Sequence, residues 1–119
     1  QGFTYLASAR AAAAAVSSPS DLFLTNCQAS SVLLYYLDRR GWSDELDIHP
    51  EDAPRILDEA AARGARFIAS EKRGLFAAPD GSLWRRFRAQ GPPLWDDGAL
   101  VIFPLGGPSA LNGRIGPRP

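Results

Sequence analysis

The sequence has no methionine, one cysteine, one histidine and one lysine in 119 residues. A lone Cys27 excludes an internal disulfide and any cysteine-rich zinc site. A lone His49 excludes metal sites built on a histidine pair. Neither sign of charge is in excess. Thirteen basic and 13 acidic residues cancel, which argues against a general nucleic-acid binder. Long apolar runs are missing too. The longest, Ala11 to Val16 and Val32 to Leu37, have six residues each, whereas a membrane helix needs about 20. The expectation is of no spanning segment or signal peptide within these residues. The Gln1 start and the missing methionine suggest a piece cut from a longer protein.

What is present is a composition of 45% hydrophobic, 22% charged and 10% aromatic residues, which suits an ordered domain of ordinary make-up. Residues 1–105 read as a single α/β domain, and 106–119, where Gly, Pro and Asn dominate, as a loose tail. Helical spacing of Tyr5, Leu6, Ala9, Ala12, Ala13 and Val16 predicts a helix over Thr4 to Val16. Leu22 to Thr25 predicts a short buried strand, and Asn26 to Ser31 a loop. Ser31 then caps a second helix that runs through Arg39 and Arg40 to a left-handed stop at Gly41. Trp42 to Pro50 is acidic and irregular, with room for a very short strand. The clearest helix is Pro50 to Arg63, with Ile56, Leu57, Ala60 and Ala61 as its apolar stripe and Gly64 as its end. A strand over Arg66 to Ser70 follows, then a loop. Ser82 caps a helix through Gln90 with Leu83, Trp84 and Phe87 inward and Arg85, Arg86 and Arg88 outward. Asp96-Asp97-Gly98 marks a hairpin turn between Pro93 to Trp95 and Ala99 to Leu105. This order predicts a small Rossmann-like three-layer sandwich, its short sheet mostly parallel, with a C-terminal antiparallel hairpin.

Such sheets bind ligands beyond the carboxyl ends of their strands. That rule singles out Asn26, Gln28, Ser30 and Ser31 as a candidate anion site at a helix start. The stretch lacks the glycines of a dinucleotide or phosphate-loop fingerprint, and an ordinary helix cap is the simpler account of it. Cys27 could act as a nucleophile only beside His49, and nothing in their spacing pairs them. Asp44-Glu45-Leu46-Asp47 and Asp96-Asp97 look like the acidic pairs of nucleotide-sugar enzymes, yet read more simply as solvated charge and turn chemistry. The expectation is therefore no metal, no cofactor and no catalytic residue. Charge is uneven along the chain: net minus five from Asp38 to Glu59, net plus five from Arg63 to Arg88. The basic half could face anionic headgroups, with Arg85, Arg86 and Arg88 toward the membrane, or simply meet solvent and the acidic half.

One block is more specific. Leu33-Leu34-Tyr35-Tyr36-Leu37-Asp38-Arg39-Arg40-Gly41-Trp42 resembles a stretch in the soluble C-terminal domain of bacterial membrane glycosyltransferases of the dolichyl-phosphate-mannose–protein mannosyltransferase and aminoarabinose-transferase group. The strand before it, the helix and strand over Leu57 to Ala69, and the stretch from Leu83 to Phe103 are similar in order. The resemblance spans roughly residues 5–105. It implies a non-catalytic accessory domain on the extracytoplasmic (periplasmic) face of a bacterial membrane protein that takes sugar from a polyprenyl-phosphate donor. Its implied partners are the transmembrane part of the same chain and a lipid-linked sugar or anionic lipid. The catalytic acidic loop of that group has no counterpart here. From the residues themselves, Tyr35 and Tyr36 are expected to pack the helix on the sheet, with Trp42 buried over its end. Tyr36, Arg39, Arg40 and Trp42 are the candidate contacts to sugar or headgroup. The alternatives are a free-standing Rossmann-like binding module and, more remotely, a small cysteine-dependent enzyme.

Overall fold

The structure, a computed structural model, describes residues 6–26 and 32–105. Four helices and five strands alternate along them: α1 (Leu6–Val16), β1 (Leu22–Asn26), α2 (Val32–Leu37), β2 (Arg40–Asp44), α3 (Ala53–Ala62), β3 (Ala65–Glu71), α4 (Ser82–Arg88), β4 (Trp95–Asp96) and β5 (Leu100–Pro104). The strands form one sheet in the order β2-β1-β3-β5-β4. β1 pairs in parallel with β2 and β3, while β5 pairs antiparallel with β3 and β4. The expected α/β class and terminal hairpin are present. The sheet, however, is mixed and not mostly parallel, because β5 joins β3 from the opposite direction.

β1 is central and buried along Phe23 to Asn26: helices cover both faces of its apolar half, Leu22 to Leu24, while the buried Thr25 and Asn26 are hydrogen-bonded to Ser43 and to Ser70 and Leu46. On one face Phe23, Ala69, Leu100 and Ile102 meet Ala9, Ala12 and Ala13 of α1 and Leu33 and Leu37 of α2. The small alanines let α1 lie close to α2. On the other face Leu24, Ile68, Val101 and Phe103 meet Leu57 of α3 and Leu83 and Phe87 of α4. Phe87 stacks on Phe103 at 5.3 Å between centroids, and Trp84 meets the same ring edge-on at 5.6 Å.

The largest departure from the expected pattern lies between α2 and β2. The helix ends at Leu37, and the left-handed residue is Asp38, with φ 60°. Arg39 and Arg40 are thus not at a helix C-terminus; Arg40 opens the edge strand β2. β2 exists because β1 offers it a row of backbone groups, and the ladder from Leu22–Arg40 to Asn26–Asp44 satisfies them. Gly41 serves that ladder and does not stop the helix. A Cβ there would stand 1.8 Å from the Phe23 carbonyl oxygen. Ser82 likewise is not a cap: Gly81 holds that position, and no side chain bonds the helix start. Gly64, with φ 108°, ends α3 as expected. The predicted tail, 106–119, lies outside the described residues.

Candidate functional site

β2, β1 and β3 run the same way and end at Asp44, Asn26 and Glu71. The chain leaves β1 for the strand on one side, then returns to the strand on the other. That reversal makes the carboxyl edge of the parallel strands a switch point, where ligand crevices form in open α/β sheets. A crevice of about 490 Å³ is found there, lined by Asn26, Glu45, Asp47, Ile48, Arg73 and Leu75. The size suits a small ligand.

Its floor is a set of buried, satisfied polar groups. Asn26, 2% exposed, donates through Nδ2 to Ser70 Oγ at 3.0 Å. Its Oδ1 accepts the Leu46 N–H at 2.7 Å, and Ser70 Oγ donates onward to the Glu71 carbonyl at 2.7 Å. One wall is pinned by Asp47, whose Oδ1 accepts the Leu75 N–H at 2.7 Å. Gly74, with φ 58°, is needed opposite, since a Cβ would come 2.5 Å from that oxygen. Arg73 Nε lies 3.3 Å from the carboxylate of buried Glu71. Toward the opening, the Glu45 carboxylate makes no hydrogen bond among the described residues. Ile48 is 60% exposed there. The crevice thus combines acceptors, one guanidinium and an apolar surface, a set able to hold a neutral polyhydroxylated molecule.

Of the anticipated anion site, only Asn26 is described, and its amide is turned inward to Ser70 and Leu46. Gln28, Ser30, Ser31 and Cys27 lie outside the described residues. The following helix has only six residues, so its dipole offers little to an anion. In the sequence Glu45 and Asp47 read as part of an acidic stretch, and Ile48 and Arg73 went unrecognised, because the ends of β2 and β3 that gather them were not placed. The carboxyl-end rule, applied to all three parallel strands, reaches every one of them.

Of the candidate set Tyr36, Arg39, Arg40 and Trp42, Arg39 and Arg40 line one pocket, while Trp42 lines another cleft and Tyr36 neither. Tyr35 and Tyr36 do not pack α2 on the sheet. They are 77% and 45% exposed and meet edge-to-face at 5.3 Å, while Leu33 and Leu37 take the core positions. Arg39 closes the end of α1: Nε donates to Ser17 Oγ at 3.1 Å and Nη2 to the Ala13 carbonyl at 3.3 Å. Trp42 is half-buried in mid-strand and does not cover the end of α2. It packs toward α3, where a cleft of about 260 Å³ also involves Ser43, Arg55, Ile56 and Glu59. Arg40 belongs to a third pocket, beside Arg10.

Arg85, Arg86 and Arg88 are exposed on α4 while Leu83 and Phe87 are buried. In the hairpin, Asp96 accepts Lys72 at 2.8 Å and the Gly98 N–H at 3.0 Å. Burial pushes the Asp97 carboxyl up. The Leu100 and Ala99 amides, the Trp95 indole and the Ser8 hydroxyl outweigh it, and together hold Asp97 below its ordinary value. Among the described residues, potential metal donors gather only at His49, Glu51 and Asp52, within 4.8 Å of one another on the open turn before α3. Arg55 stands 3.9 Å from Asp52 there.

Comparison with protein-family models, curated proteins and solved structures finds no match to this chain. No helix among the described residues is long and apolar enough to cross a membrane.

Proposed function

We propose that this chain is a non-catalytic ligand-positioning domain: an extracytoplasmic accessory part of a membrane glycosyltransferase that uses a polyprenyl-phosphate sugar. The observation that carries the reading is the carboxyl-edge crevice. Its inner polar groups are committed to one another and to backbone, so they hold shape, while Glu45, Arg73 and Ile48 face a ligand. Carboxylate, guanidinium and an apolar surface are the groups that engage the hydroxyls and the C–H face of a sugar. The parallel half, β2-β1-β3 with helices on both faces, supports the finer description as a trimmed Rossmann-like unit with an antiparallel pair added. The Leu33 to Trp42 block supports the parent enzyme.

Titration of the ¹⁵N-labelled domain with hexoses, aminosugars and a short-chain polyprenyl-phosphate sugar tests the reading. Shifts centred on Glu45, Asp47 and Arg73, weakened by Glu45→Gln and by Arg73→Gln, are expected, with no turnover of the donor. Turnover by the domain alone, or silence of these residues toward every sugar, would reject it. About ten hydrophobic segments in the reading frame upstream separate an accessory domain from a free-standing binding module.

A further inference from the structure

The amino edge of the parallel strands carries a second pocket, of about 440 Å³, between α1 and the α2–β2 corner. Arg10, Arg39, Arg40 and Tyr35 line it, with Asp38 as its one carboxylate. Arg39 is fixed by four hydrogen bonds: to Ser17 Oγ, the Ala13 carbonyl, the Ser17 carbonyl at 3.4 Å and the Asp38 carbonyl at 2.9 Å. Every one of those acceptors is a neutral oxygen. The guanidinium is therefore immobilised with its charge uncompensated by any carboxylate, apart from the partial negative end of α1. The Arg10 and Arg40 side chains are exposed and make no hydrogen bond or ion pair among the described residues. Neither does the Asp38 carboxylate. Three cations thus face one acid across a space large enough for a ligand.

Such a cluster repels itself unless an anion enters, and planar guanidinium groups suit the tetrahedral oxygens of phosphate, which they can grip two at a time. Tyr35 completes the picture. Its ring is held edge-on by Tyr36 yet stays 77% exposed at the rim, an apolar surface with a hydroxyl donor beside the basic cluster.

We infer that this pocket binds the phosphate of a phosphate ester, with the ester's ring or hydrocarbon part against Tyr35. Arg39 supplies a fixed field at the base, Arg10 and Arg40 close on the phosphate oxygens, and Tyr35 favours an ester over the bare ion. The site is on the opposite edge of the sheet from the sugar crevice and does not depend on it. Its α2–β2 arginines sit in a corner that the sequence alone places at a helix end.

The test is a titration of the ¹⁵N-labelled domain at low salt with inorganic phosphate, with a hexose 1-phosphate, and with phosphatidylcholine vesicles with and without phosphatidylglycerol. Saturable shifts at the Arg10 and Arg40 Nε–H and the Tyr35 amide are expected, and in the Arg10→Gln/Arg40→Gln variant the affinity read at the Tyr35 amide falls about tenfold or more. Both side chains are solvent-facing and unbonded, and their removal relieves like-charge repulsion, so this variant unfolds at or slightly above the wild-type midpoint. Tyr35→Ser should weaken the hexose phosphate and spare inorganic phosphate. Binding of the hexose phosphate identifies a soluble ester as the ligand. Binding only to phosphatidylglycerol vesicles identifies a lipid headgroup. Unchanged affinity in the double variant, or no shift with any of the probes, overturns the assignment. So does vesicle binding that is lost only when Arg85, Arg86 and Arg88 are changed to Gln.

Discussion

The two edges of the parallel strands are built on opposite plans. At the carboxyl edge the polar side chains bond one another and the backbone: Asn26 to Ser70 and Leu46, Asp47 to Leu75, Arg73 to Glu71. At the amino edge one arginine is spent on closing a helix, and two more are left facing solvent beside it. The first plan fixes the shape of a crevice in which the Glu45 and Asp47 carboxylates outnumber the single guanidinium of Arg73. The second concentrates like charge, which costs stability unless an anion relieves it. Shape complementarity is thus available at one edge and electrostatic attraction at the other, within a sheet of five strands.

The comparison breaks most completely at Gly41, which both edges share through β2. Gly41→Ala would drive a Cβ into the Phe23 carbonyl at a φ of 146°, and β1 and β2 would separate. A loss on the order of 4 kcal/mol or more is expected in urea denaturation, with faster amide exchange at both edges. An unchanged midpoint would mean that the strands do not pair as described. Asn26→Ala should act on the carboxyl edge alone. It strands the buried Leu46 N–H and removes the donor to Ser70 Oγ, so a cost of ~2 to 3 kcal/mol is expected. Exchange should quicken at Leu46 and remain slow through α1. Arg39→Gln is the mirror experiment at the amino edge. It removes a partly exposed helix closure and should cost ~1 kcal/mol, read as fraying of the last turn of α1 without change at Leu46.

The smallest effect belongs to the hairpin turn, which lies beside the carboxyl end of β3, where Leu100 pairs with Glu71 and Asp96 with Lys72. Asp97 is held below its ordinary value in the folded state. Its contribution is therefore fully present above the unfolded value of ~3.9 and is lost as pH falls through the lower folded value. Wild type minus Asp97→Asn stability should be positive at neutral pH and shrink through that acid window. A difference independent of pH would show that the carboxylate charge is not what Leu100, Ala99, Trp95 and Ser8 stabilise.

How much of this was readable in the chain depends on how local the cause was. α3 follows from Ile56, Leu57, Ala60 and Ala61 at helical spacing and from Gly64, and all of those signals lie within one element. The hairpin is equally local, because Asp97 bonds amides two and three residues on and Gly98 takes a φ of 91°. β2 was legible only as room for a very short strand after Gly41. Arg-Gly-Trp-Ser-Asp has no β-branched residue and no alternation, and it becomes a strand because β1 lies alongside it. Tyr35 and Tyr36 misled for a related reason. Aromatic residues in a helical pattern suggest core, but only Leu33 and Leu37 share the face that meets the sheet. The crevice was half-visible, through Asn26 after a buried strand. The residues that line its other side depend on where β2 and β3 end.

The sequence by itself determined the α/β class, the apolar faces of α3 and α4, the hairpin turn and the scarcity of cysteine and histidine. Each follows from near-neighbour spacing or from composition, which need no knowledge of what lies across the fold. Tertiary structure alone decided that α2 stops at Leu37 and that Gly41 lies under the Phe23 carbonyl. It also decided that Arg39 reaches back 22 residues to Ser17, and that three strand ends meet around one crevice. Those outcomes are set by strand order. Pairing satisfies backbone groups that no local pattern can, and it places far-apart side chains side by side as a consequence.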